Sequence, residues 1–100
     1  MDLIQAHILF CMGKTDDAIN VIYKDVDELL RGKRFVECDD LLESIIGMDS
    51  IPYSADLLLA LLVATLPVRY TLPNRDAFLK RVEKVLYERG EYEEGIVLGL

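Results

Sequence analysis

The residues able to do chemistry in this 100-residue chain are few, and their spacing can be tested directly. His7 and Cys11 stand four apart, the interval that places two side chains on one face of a helix. As metal ligands they would need two more donors, and only Cys38 and carboxylates remain to complete a tetrahedral zinc site. As a nucleophile and base they would need a third group to orient the imidazole, and no acid stands beside them in the sequence. "GKT" at 13–15 ends like a phosphate-binding loop, but that motif needs a glycine at position 8, which is Ile8, and a buried strand before it. The carboxylate pairs Asp16/Asp17, Asp27/Glu28, Asp39/Asp40 and Glu93/Glu94 are adjacent residues, which point in different directions on a helix. No alternation of acids around a glycine suggests a calcium loop. The expectation is a protein without enzymatic activity, metal or cofactor.

The charge of the chain narrows its partners. The net charge is −7, and it is concentrated: residues 1–50 carry eleven acidic and five basic side chains, residues 51–100 seven and six. An acidic surface repels phosphate backbones, so nucleic acid is not an expected partner. The stretch 69–89 is locally basic, with Arg69, Arg75, Lys80, Arg81, Lys84 and Arg89, and reads as solvated helix charge. Two cysteines in apolar surroundings suit free thiols in a reducing compartment, and the N-terminus has Asp2 where a signal peptide would be basic. Cytoplasm is the expected location.

The elements that must position these residues are helical. Ile19, Ile22, Val26, Leu29 and Leu30 recur at helical spacing after Thr15, read as an N-cap, with Asp16 and Asp17 in the first turn. Gly32 is read as ending that helix. Phe35, Cys38, Leu41, Leu42 and Ile45 define the next, closed by Gly47. Ser50 or Ser54 can cap the run from Leu57 to Leu66, which has one polar residue, Thr65, and stops at Pro67. Asn74 can cap a helix carrying Phe78, Val82, Val85 and Leu86, and "EYEEGIVLGL" is read as a short last helix after Gly90. No stretch alternates as a half-buried strand does.

The run apolar on every side poses a choice between membrane and core. Ten to twelve helical residues reach only about 15–18 Å, against the roughly 30 Å of a bilayer. The expected fold is therefore all-α: one domain over 1–100, a compact bundle of five to six short antiparallel helices around that central apolar helix.

Three glycine turns, "MGKTDDAI", "RGKRFVEC" and "RGEYEEGI", each end one helix and start the next. The last resembles the turn of tetratricopeptide-type helical hairpins, with Gly90, Tyr92 and Gly95 at the glycine, aromatic and small positions; Gly13 and Ala18 match at the first turn. The glycines are 19 and then 58 residues apart, not a constant period near 34, and Glu37 takes the small position in the second turn. The resemblance covers about a third of the chain and implies local packing similar to that of protein-binding scaffolds.

The function expected from these features is a small protein–protein interaction module, an adaptor or regulator, binding another protein or a second copy of itself. Leu66, Val68, Arg69, Tyr70 and Leu72, with the C-terminal "IVLGL", are the expected contact residues, since Tyr and Arg are frequent anchors of interfaces. The alternative is an acidic inhibitor or mimic that presents Asp16, Asp17, Glu37, Asp39, Asp40 and Glu43 to a basic site on a nucleic-acid-processing protein.

Overall fold

A computed structural model describes residues 3–90. Among these the architecture is all-α: α1 (Leu3–Cys11), α2 (Thr15–Arg31), α3 (Phe35–Ile46), α4 (Ala55–Thr65) and α5 (Arg75–Glu88), with a short 3₁₀ turn at Leu66–Val68. The expected last helix lies outside the described residues. α4 is the central helix, packed against α1, α2 and α5, while α3 is held by α2 and α5. Leu57, Leu58, Leu61, Leu62, Ala55, Ala64 and Thr65 of α4 are buried, together with Ile22 and Val26 of α2, Leu42 and Ile45 of α3, and Phe78, Val82 and Leu86 of α5. Among the described residues no helix is long and apolar enough to cross a membrane.

Both ends of a helix buried this deeply need partners, because its terminal N–H and C=O groups lack intrahelical ones. At the start of α4 the Ser54 hydroxyl accepts from the Leu57 N–H. At its end, the Thr65 hydroxyl donates to Leu61 O at 2.8 Å. The Arg75 guanidinium then donates from Nε to Thr65 Oγ1 at 2.9 Å and from Nη2 to Leu62 O at 2.6 Å. Arg75 is 2% exposed, and burial lowers its pKa. Its positive charge sits where the helix dipole is negative. This corrects the reading of Arg75 as a solvated charge.

The turns also differ from expectation in detail. Gly13 takes φ +75°, with Gly13 N–H donating to Phe10 O and Lys14 N–H to Leu9 O, the paired bonds of a Schellman end. Lys14, not Thr15, occupies the N-cap of α2, with no side-chain cap bond; Thr15 is its first helical residue. At the second turn the same two bonds run from Lys33 N–H to Leu30 O and from Arg34 N–H to Leu29 O. There the left-handed residue is Lys33, at φ +52°, and Gly32 is at −76°. The glycine stands one residue too early to relieve the turn.

Candidate protein-interaction surface

The expected contact residues of the 66–72 corner divide between core and surface. Leu72 is 2% exposed and belongs to the core; Val68 is half-buried against it, and Leu66 is half-buried. Tyr70 is 90% exposed, and the Arg69 guanidinium lies 4.6 Å from the centre of its ring while donating to Leu66 O. Arg69 and Tyr70 are thus brought together at the surface. Leu72 cannot touch a partner without unfolding the corner. "IVLGL" lies outside the described residues.

The acidic set is likewise separated. Asp16 and Asp17 begin α2, whereas Glu37, Asp39, Asp40 and Glu43 lie on α3, which starts beyond the other end of α2. The set is thus divided between two helices that pack on each other, and its members are not all free. Asp39 is engaged within the fold: its carboxylate accepts from the Asn74 backbone N–H at 2.8 Å and from Asn74 Nδ2 at 2.6 Å. A negative charge from α3 therefore closes the start of α5, and the Asn74 side chain makes no cap bond of its own. Glu37 is hydrogen-bonded to Arg34, which holds its carboxyl below the usual range. Asp16, Asp17, Asp40 and Glu43 remain exposed.

The basic stretch 69–89 ties the fold together as well. Besides Arg75, Arg81 donates to Met48 O at 2.9 Å, and Arg89 donates to Tyr53 O at 2.8 Å and to Ile51 O. With Arg69 on Leu66 O, four of its six cations thus bind backbone carbonyls. The sequence held one signal of this: a cation in the first turn of α5 opposes that helix's own dipole, so it needs another reason to be there.

His7 and Cys11 do meet, with Sγ 3.6 Å from Nε2. The Ser54 backbone N–H donates to His7 Nδ1 at 3.1 Å, and the ring meets Tyr53 edge-on at 6.2 Å. With Nδ1 accepting, the neutral ring carries its proton on Nε2, so His7 donates to the sulfur and cannot take the thiol proton in this arrangement. The ring anchors α1 to the loop before α4. Cys38 is buried on α3, and that burial raises its thiol pKa. Among the described residues no three His, Cys, Asp or Glu side chains are grouped to hold a metal ion.

Two apolar surfaces that the periodicity did not mark stand open instead. The first is the outer face of α1. Ile4, Ile8 and Met12 follow one another at four-residue intervals and are 65%, 50% and 60% exposed, flanked by Cys11 and Gln5. No Asp, Glu, Lys or Arg occurs in the helix. The second is a groove of about 220 Å³ between α2 and α4, lined by Thr15, Ile19 and Tyr23 on one side and Asp56, Leu59, Ala60 and Val63 on the other, with Phe10 between. Comparison with protein-family models, with curated proteins and with solved structures finds no match for the chain.

Proposed function

We propose that this protein is a small, non-enzymatic interaction module that works by binding another protein. The observation that carries the reading is the outer face of α1. Three large apolar side chains in a row are held in water by a helix without a charged residue, in a chain otherwise rich in charge. Exposed apolar residues scattered singly are ordinary, but a contiguous row is a feature of contact surfaces. Such a face suits another protein or a second copy of this chain. The Arg69–Tyr70 pair at the opposite end of α4 adds a second exposed anchor of the type favoured in interfaces. The glycine turns, resembling those of tetratricopeptide-type hairpins, are in keeping with such a scaffold. Free thiols at Cys11 and Cys38 suit a reducing cytoplasm.

A photo-crosslinking side chain at position 8, compared with one at Ser44, tests the reading in cell extract. A recurrent protein adduct from position 8 and none from position 44 is expected. No adduct at position 8, or equal capture at both, would overturn it. Light scattering over a wide concentration range separates a second copy from a different partner.

A further inference from the structure

We propose that the groove between α2 and α4 receives the apolar side of a basic amphipathic segment of a partner protein. Its walls are built from two helical rows. Thr15, Ile19 and Tyr23 repeat at four-residue intervals along α2; Asp56, Leu59, Ala60 and Val63 repeat at three and four along α4. The recess lies where α4 presents Ala60, a short side chain between longer ones. At about 220 Å³ the groove is smaller than the roughly 300–1,000 Å³ of small-molecule sites. It fits one or two large side chains presented by a ridge, as an amphipathic helix presents them.

The charge in and beside the groove selects the partner. Asp56 stands in its lining, and Thr15 is shared with an adjoining polar recess formed by Gly13, Lys14, Asp16 and Asp17. One carboxylate thus lines the groove and two more line the recess that adjoins it at Thr15, against the one ammonium of Lys14. The ion pairs among the described residues are Arg31–Asp27 and Arg34–Glu37, so Asp16, Asp17 and Asp56 have no cation of their own. Each lies in the first turn of its helix, where the dipole favours a negative side chain. An apolar floor with an unneutralised acidic rim is complementary to Leu, Met or Phe side chains flanked by Lys and Arg. The net charge of −7 would also speed the encounter with a basic segment. This site is separate from the outer face of α1, so failure at one leaves the other standing.

The test measures fluorescence anisotropy of a labelled peptide of about fourteen residues, with Leu on one helical side and Lys on the other. A second peptide has the same Lys residues and Gln in place of Leu. The full chain is expected to bind the first more tightly than the second, by about tenfold, with affinity falling as salt rises. Ala60→Phe fills the recess at unchanged charge and is expected to weaken binding about tenfold. Asp16→Asn with Asp56→Asn should weaken it by about threefold to tenfold and flatten the salt dependence, whereas Asp40→Asn with Glu43→Gln changes it less than about twofold. Equal binding by Ala60→Phe and the unaltered chain, equal binding of both peptides, or no binding up to about 1 mM at low salt would overturn the proposal. Should Ala60→Phe fail to fold, chemical-shift mapping on the unaltered chain decides. Shifts gathered at 15–23 and 56–63 support the groove, and shifts centred on α3 refute it.

Discussion

α4 and α1 are both short, mostly apolar helices, with Asp56 the one Asp, Glu, Lys or Arg between them, yet they have different surroundings. α4 meets α1, α2 and α5, and seven of its eleven residues are buried. α1 packs on α2 and α4 and buries only Leu3, Ala6 and Phe10, leaving Ile4, Ile8 and, just past its end, Met12 in water. Coverage therefore depends on how many neighbours the chain wraps around a helix, not on the helix's own composition. An apolar helix with three neighbours is a core; with two, it is a core on one side and a surface on the other.

Truncation of α4 tests the covered side of this comparison most severely. Leu58→Ala removes a fully buried side chain between packed helices and is expected to destabilise by about 2–5 kcal/mol. Urea unfolding followed by circular dichroism measures it. A loss below about 1 kcal/mol would mean that α4 is not the packed centre of the bundle.

Burial of α4 extends to its end, so Arg75 should behave as a core residue despite its charge. Arg75→Met keeps most of the side-chain volume but removes the donors to Leu62 O and Thr65 Oγ1. Hydrogen bonds from a charged donor contribute about 1.5–3 kcal/mol. A loss of about 2–3 kcal/mol is expected by the same unfolding measurement. Arg69→Met, at the exposed surface of the corner, should cost less than about 0.5 kcal/mol. Equal effects at the two positions would show that the Arg75 hydrogen bonds do not matter to α4.

The two hairpin turns test whether α1 is held open by strain. Gly13 leaves α1 at a positive φ that costs glycine nothing, with no atom within 4 Å of where a Cβ would lie. Lys33 accepts nearly the same conformation with a side chain. Lys33→Gly is expected to raise stability by about 0.5–1 kcal/mol, and Gly13→Ala to lower it by about 1 kcal/mol. If Lys33→Gly destabilised, the Lys33 side chain would have to contribute more than the strain it carries. On these grounds α1 ends in a relaxed turn, and its open face is not the product of a forced geometry.

Much of this architecture was legible before the fold was known, and what was missed has a physical pattern. Helical spacing at Ile22 and Val26, at Leu42 and Ile45, and at Phe78 and Val82 marks faces that the structure buries. Pro67 and Ser54 mark the limits of the central helix to within a residue or two. The candidate site was harder to see. Uniform apolarity in α1 carries no periodicity, so nothing in "LIQAHILFC" distinguishes Leu3, which is buried, from Ile4, which is not. Leu72 stands in a loop without helical periodicity, so nothing local marks it as the core residue it is. Asp39 and Arg75 looked like solvated charges because their partners are not sequence neighbours: Asn74 lies 35 residues from Asp39, and Leu62 O and Thr65 Oγ1 lie 13 and 10 from Arg75.

The smallest expected effect on stability bears most directly on function. Ile8 is half exposed at the middle of the open row, with Ile4 and Met12 one turn to either side. If that row is a surface kept for a partner, Ile8→Ser should change the free energy of unfolding of the isolated protein by less than about 0.5 kcal/mol, as surface substitutions do. The same substitution should abolish the adducts formed from a crosslinker placed at Ile4, because it removes the central apolar contact of the row. Were Ile8→Ser instead to cost about 2 kcal/mol or more, Ile8 would behave as a core residue. α1 would then be covered like α4, and the difference in surroundings that separates the two helices would vanish.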